Sequence, residues 1–296
     1  MHFVFEPGFF SSSPVQIALV VGAVSAIVSA VVGVFTVLRG QSFAGHALTD
    51  VATTGGSGAF FYGASPLVGF LSAGVIGAGA MELVGVERLR GRDIATGVVL
   101  GFATGLSALF LYLDTTKSAA TGVSQQILFG SIFTLSSSTI PLVAVLSALT
   151  LCVLFVIYRP LLLSSVSPDL AAARGIRVRL IGVLFMLTLA VSVGLSSIAI
   201  GSILSTALLI GPAAAALRVT TNLRATLAVA TLWGVVATWL GIVLAYDSYY
   251  WFPSSQGLPV SFFIVALVFV GYLLSGVRTR RVRSNSRTSL AVESVH

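Results

Sequence analysis

VQIALVVGAVSAIVSAVVGVFTVL, residues 15–38, contains no charged side chain. A hydrocarbon core of about 30 Å takes roughly 20 apolar residues of α-helix to cross, so this stretch reads as one membrane span. Working outward, comparable windows lie at 42–63, 66–86, 94–113, 139–158, 180–197, 199–217, 222–245 and 258–277. The pattern predicts an all-α, polytopic membrane bundle of about nine spans, or eight if 199–217 is only a half-helix. Residues 42–63 are rich in Gly, Thr and Ser, so that helix has to be enclosed by protein or be broken. With 56% hydrophobic and 8% charged residues among 296, the chain cannot build a water-soluble surface. One transmembrane domain over 1–277 is expected, with 278–296 as a basic, disordered tail. No Lys or Arg precedes the first span and that span is too long for a signal-peptide core, so no cleaved leader is expected. The single cysteine, Cys152, lies in an apolar run and implies no disulfide framework.

The formal net charge of +7 would in a soluble domain point to nucleic acid, but its placement reads as topology instead. Arg39, the Arg88–Arg92 group, Arg159, Arg174, Arg177, Arg179, Arg218, Arg224 and the run from Arg278 to Arg287 all fall on one side of the predicted spans, with Lys117 opposite. The excess of positive charge on the cytoplasmic face then places the C-terminus inside and, with about nine spans, the N-terminus outside. The basic tail can also meet anionic lipid headgroups.

Three segments between or inside the spans stand out. GVSQQILFGSIFTLS, 122–136, is too polar and short to cross and reads as a re-entrant or interfacial helix. Gly97, Gly101 and Gly105 recur every fourth residue, a spacing that lets helix backbones approach. Gly211-Pro212 predicts a kink or break in its span.

The sharpest chemical feature is His46 and Asp50 in GHALTDVATTGG. Four residues apart, they share one helix face. An ionised Asp in a span is costly unless it is partnered, so such residues face a cavity or path, or lock packing as a private pair. Imidazole nitrogen with carboxylate oxygen suits first-row divalent metals such as zinc or manganese, yet one pair cannot close a site. A second copy related by a two-fold axis would supply four ligands. Thr49, Thr53 and Thr54 add hydroxyls to that helix, which interhelical hydrogen bonding explains equally well. Glu82 and Glu87 sit with Arg88, Arg90, Arg92 and Asp93 in a solvated charge cluster, Glu82 deepest. Asp114 and Asp247 are expected in exposed outer loops, the latter beside the interfacial aromatics Tyr249, Tyr250, Trp251 and Phe252. His2 and His296 lie at the termini and carry no expectation.

SVSPDLAAARG carries the signals of a short capped helix: Ser167 as N-cap, Pro168 at the first position, Asp169 in the first turn, Leu170, Ala171, Ala172 and Ala173 as its body, Arg174 in the last turn and Gly175 just past it. At roughly 10 Å it cannot cross a bilayer, but it can dock on another protein. No GxxxxGK[ST] phosphate loop is present, so the chain is not expected to hydrolyse ATP, and HExxH and GxSxG are also missing.

LRGQSFAGHALTDVA, GRDIATGVVLGF, ILFGSIFTLS, SPDLAAARGI and GSILSTALLIGPAAAAL together resemble the permease subunits of the zinc/manganese/iron-type metal ABC importers, over about residues 30–275. The resemblance implies a plasma-membrane permease without enzymatic activity of its own or a permanent cofactor. Its implied cargo is a divalent transition metal, zinc or manganese, with iron as the further ion of the family, and its implied partners are a second permease chain, cytoplasmic ATP-binding subunits and an external metal-binding lipoprotein. Ser167 to Gly175 would be the helix that couples the permease to the ATPase. The family pattern at the second span is Gly-Asp-Ala-Leu-Ser-His-Ala, with the Asp and His lining the ion path. Here Gly45-His46-Ala47-Leu48-Thr49-Asp50-Val51 exchanges the two ligand types while keeping their spacing. Two other readings stand beside this one: a related permease for a metal chelate such as a siderophore or cobalamin, and an intramembrane hydrolase using Asp50.

Overall fold

The computed structural model describes residues 8–84, 89–117, 121–130, 132–251 and 257–293. Eleven α-helices occur among them: α1 Ser13–Leu38, α2 Ser42–Phe61, α3 Pro66–Val84, α4 Leu89–Lys117, α5 Thr121–Phe129, α6 Thr139–Val166, α7 Pro168–Ala173, α8 Val178–Ile200, α9 Ser202–Val219, α10 Leu223–Trp251 and α11 Val260–Glu293. Single 3-10 turns sit at Phe9–Ser11 and Ile132–Thr134. No strand occurs among the described residues. Helices satisfy their backbone polar groups within the segment, which is what a chain surrounded by hydrocarbon requires.

Six helical segments are long and apolar enough to cross a bilayer unaided: Ser13–Leu38, Thr96–Thr116, Thr139–Val166, Val178–Ile200, Leu223–Trp251 and Val260–Val277. Pro66–Glu82 and Leu204–Val219 are shorter apolar helices. Each of the nine predicted spans is helical, but α2 is too polar to be among these eight. It is enclosed by α3, α4, α8 and α9. Gly55 and Gly69 let α2 and α3 approach backbone to backbone: a Cβ on Gly55 would stand 2.2 Å from the Gly69 carbonyl oxygen. Hydroxyls along α2 bond back one turn, Thr53 to the Thr49 carbonyl at 2.8 Å and Ser57 to that of Thr53 at 2.8 Å. Small residues and self-satisfied hydroxyls thus replace hydropathy as the reason α2 is tolerated.

α1 and α8 occupy the middle of the bundle, where Val28, Val32, Phe35, Phe185, Leu189 and Val193 are buried together. Large apolar side chains face outward on the surrounding helices, among them Phe102 on α4, Phe155 on α6 and Phe269 on α11. Apolar exposure on that scale marks contact with lipid or another chain.

Several boundaries differ from those read in the sequence. α6 continues through Pro160 to Val166, with Leu161 fully buried and Ser165 Oγ donating to the Leu161 carbonyl at 2.6 Å. α9 also runs unbroken through Pro212, and the interruption falls earlier, at Gly201. Gly201 has φ 87° and ψ 157°, a region that essentially only glycine occupies. α4 and α10 are longer than their hydropathy windows, so Asp114 and Asp247 lie in helices and are fully buried instead of loop-exposed. Tyr249, Tyr250 and Trp251 close α10, while Phe252 falls outside the described residues. The basic stretch expected to be disordered from Arg278 carries helical backbone as far as Glu293. His2, Glu87, Arg88 and His296 lie outside the described residues, as do the side chains of Arg90, Arg92 and Asp93.

Candidate functional site

α2 starts one tight turn after α1, at Gly40 with φ 65°, so its first three turns present His46 and Asp50 on one face. The two do not lie in a sealed core: the His46 ring is exposed and Asp50 is half-buried. Each is held by a hydroxyl from a different neighbouring helix. Thr206 Oγ1 of α9 lies 3.3 Å from His46 Nδ1. Thr104 Oγ1 of α4 donates to Asp50 Oδ2 at 2.5 Å. The site is therefore a cleft with α2 as floor and α4 and α9 as walls. α5 packs against α4, α2 and α9.

Second contacts steady these holders. Thr206 Oγ1 also lies 3.2 Å from Thr49 Oγ1, and Ser205 Oγ donates toward Thr49 Oγ1 at 3.5 Å. On the other wall Thr54 Oγ1 lies 2.7 Å from Ser107 Oγ and 2.8 Å from the Ala103 carbonyl, while Ser107 Oγ donates to the Asp50 carbonyl at 3.2 Å. Engaging Nδ1 of His46 fixes the ring and leaves Nε2 directed away from Thr206, the arrangement in which an imidazole presents one nitrogen to a metal. Asp50 keeps Oδ1 beside the bond to Thr104. The cleft offers one nitrogen, carboxylate oxygen and threonine hydroxyls. Among the described residues no group of three or more His, Cys, Asp or Glu side chains comes together, so a metal here would need further oxygen donors, water, or a second chain.

The sequence singled out His46, Asp50, Thr49, Thr53 and Thr54; the structure brings His46, Asp50, Thr49 and Thr54 to this cleft, whereas Thr53 is buried and bonds back to the Thr49 carbonyl of its own helix. Thr104, Ser107, Ser205 and Thr206 were missed. Their only signal is a hydroxyl in an apolar window, and in helices such hydroxyls usually bond back to their own backbone. Glu82 does not join them: its carboxylate lies over Gly182 of α8.

At the end of the bundle where α1 stops and α8 begins, α7 has the predicted caps. Ser167 Oγ accepts from the Leu170 amide at 3.2 Å. The Gly175 amide donates to the Ala172 carbonyl at 2.9 Å and the Ile176 amide to that of Ala171 at 3.0 Å, the paired bonds of a Schellman ending. Gly175 takes the φ of 77° this ending needs. Ala171 is buried against the bundle, whereas Pro168, Asp169, Ala172, Ala173 and Arg174 are exposed and Leu170 is 48% exposed.

The sequence profile of the ABC 3 transport family matches residues 12–275. The chain belongs to the ABC 3 transport family. A manganese transport system membrane protein, MntC, of Halalkalibacterium halodurans is 30% identical over 287 residues, covering 96% of each chain. The manganese import system permease protein ScaB of Streptococcus parasanguinis is 27% identical over 270 residues, covering 91% of this chain and 92% of its own. The fold matches PsaBC from Streptococcus pneumoniae, solved in complex with Fab, with a TM-score of 0.77 at 25% identity over 90% of this chain and 92% of that one. The protein is thus a multi-pass membrane permease of the metal ABC transport type, a transport component.

Proposed function

We propose that the chain is the ion-conducting subunit of an ATP-driven importer of divalent transition-metal ions, with manganese as the favoured cargo. The observation that carries this reading is the pairing of His46 and Asp50 on α2, each oriented by a threonine from a facing helix. Zinc and iron can use the same imidazole and carboxylate, but a set dominated by carboxylate and hydroxyl oxygens favours the harder manganese ion. The relatives named as a manganese transport system membrane protein and a manganese import system permease protein support that preference.

Two copies of the chain would meet with their His46 and Asp50 faces opposed, doubling the ligands to four. Support comes from the open side of α4: a Cβ added at Gly97, Gly101 or Gly105 would meet nothing within 4 Å. Packing of those glycines inside the chain, the expectation from spacing alone, is therefore not their use in a single copy. α7, with Ser167 to Gly175, docks on a separate ATP-binding subunit and marks the cytoplasmic end, the side that also carries the C-terminus. A metal-binding lipoprotein would deliver the ion at the opposite, outer face.

The test is manganese uptake into liposomes holding the permease with its ATPase. His46→Ala with Asp50→Ala is expected to lower uptake by more than about 100-fold, beyond the range for a ligand's supporting contacts, while the ATPase still co-purifies. Undiminished uptake would remove the site assignment. Competition by free manganese, zinc and chelated metal in the same assay separates ion from chelate transport.

A further inference from the structure

Thr206 differs from the other threonines of the cleft in where its proton goes. Thr49, Thr54 and Thr104 each donate to the carbonyl four residues back, those of Gly45, Asp50 and Leu100, the usual use of a threonine hydroxyl in a helix. Among the described residues Thr206 makes no such bond. Its hydrogen-bonding neighbours are Thr49 Oγ1 at 3.2 Å and His46 Nδ1 at 3.3 Å. Ser205 stays out of this exchange, because its hydroxyl reaches the Ser202 carbonyl at 3.0 Å and Thr49 only at 3.5 Å.

Gly45, Thr49, Thr206 and His46 therefore form a chain in which two hydroxyl protons and one ring proton can be placed in two ways. In the first, Thr49 donates to the Gly45 carbonyl, Thr206 donates to Thr49 Oγ1, and His46 Nδ1–H donates to Thr206 Oγ1. All three protons are used, and Nε2 keeps a lone pair. In the second, Thr49 donates to Thr206 and Thr206 donates to Nδ1, so that two bonds form and the ring proton sits on Nε2. The first arrangement makes one bond more within the protein. Thr49 is 1% exposed, so water does not replace that bond, whereas the exposed His46 ring meets water at Nε2 in either case.

A cation needs the bare nitrogen; an N–H pointing into the cleft repels it. We infer that Thr49 is a positioning residue for the ion: its bond to the Gly45 carbonyl turns the Thr206 hydroxyl away from His46, which holds the ring proton on Nδ1 and keeps Nε2 ready for a divalent cation. This rests on the proposed metal cargo. Thr49 acts through Thr206 and touches no ion itself. Without its hydroxyl, Thr206 turns to donate to Nδ1, and the ring has to shift its proton before it binds metal.

The experiment reads the ring directly, by NMR of the full-length permease labelled at its histidine nitrogens, in metal-free alkaline buffer where the imidazole is neutral. The chain has three histidines, and comparison with His46→Ala identifies the signal. Manganese uptake by the permease with its ATPase in liposomes is measured in parallel. Wild-type His46 is expected to carry its proton on Nδ1. Thr49→Val is expected to lose that preference and to raise the KM for manganese about tenfold, and Thr49→Ser to restore the tautomer and a KM within about threefold of wild type. Thr206→Val, which cuts the chain from α9, is expected to act like Thr49→Val, and Thr206→Ser like wild type. A ring proton on Nε2 in the wild type, or a tautomer that Thr49→Val and Thr206→Val both leave unchanged, overturns the inference. A raised KM that Thr49→Ser fails to rescue marks a packing role and overturns it as well. If the tautomer responds as expected but His46→Ala with Asp50→Ala transports normally, the metal-path reading falls and takes this inference with it. If that double variant is inactive while the tautomer ignores Thr49, only this inference falls.

Discussion

At the scale of single residues, the site depends on which groups hold His46 and Asp50 in place. Thr104 donates one short hydrogen bond to Asp50, and bonds to charged groups are worth about 1.5–3 kcal/mol. Thr104→Val, which keeps the shape and removes the donor, should raise the KM for manganese roughly tenfold, as read in initial-rate uptake. Unchanged kinetics would mean that the carboxylate is oriented by something else. The exchanged order of His and Asp relative to the family pattern gives a second test. His46→Asp combined with Asp50→His restores the family order on the same helix face. Because Thr206 and Thr104 can bond either group, transport within about tenfold of wild type is expected, against near-complete loss when both residues become Ala. His46 and Asp50 were legible because ionisable groups are conspicuous in a span. Thr104 and Thr206 were not, since their pairing is set by tertiary approach. Asp114 and Asp247 were misread because hydropathy marks where a window loses apolar character, not where a helix ends.

At the scale of elements, two glycines hold the chain where it changes direction. Gly130, with φ 88°, closes α5, and Gly201 separates α8 from α9. The two turns touch: a Cβ on Gly201 would stand 2.3 Å from the Leu128 carbonyl oxygen, and one on Gly130 would stand 2.7 Å from the Gly201 amide. Gly201→Ala has to relieve that clash and leave its backbone region, together about 2–5 kcal/mol. A marked fall in Tm and in folded yield is expected, and an unaltered Tm would show that the turn is adaptable. Neither glycine could be distinguished in the sequence, where Gly211-Pro212 gave the stronger signal for a break. α9 absorbs that proline within a continuous helix. α7 was legible because its caps are local chemistry, fixed by Ser167 and Gly175 without reference to the rest of the fold; only Arg174, expected in the last turn, falls one residue beyond it as the C-cap.

Arg39 connects these elements. At the α1–α2 turn its Nη1 donates to Ser164 Oγ of α6 at 3.1 Å, its Nε donates to Gln41 Oε1 at 3.3 Å, and its guanidinium sits 5.3 Å from the Phe185 ring centroid. Ser164 lies three residues before the N-cap of α7, and Gln41 immediately precedes α2. Displacement of α7 by the proposed ATPase would reach α2 through this contact. Arg39→Ala is expected to lower ATP-driven uptake at least about tenfold while ATPase binding and manganese affinity stay near wild type. Equal loss of all three would point to a folding defect instead.

For the whole molecule, the bundle surrounds a helix, α2, that is itself poorly suited to lipid. α2 tolerates its polarity because α3, α4, α8 and α9 enclose it, and it leaves His46 exposed with Asp50 half-buried on the same face. The helical bundle and the enclosure of 42–63 followed from composition. Which helices flank α2 did not, because helix adjacency in a membrane depends on shape and small-residue contacts more than on hydrophobic pattern. The most direct test of the metal path is anomalous X-ray scattering from crystals of the assembled transporter grown with manganese. The account predicts a manganese peak about 2.0–2.6 Å from both His46 Nε2 and an Asp50 carboxylate oxygen, within the range of metal–nitrogen and metal–oxygen bonds. A transport-competent protein whose manganese peak lies away from both residues would contradict it.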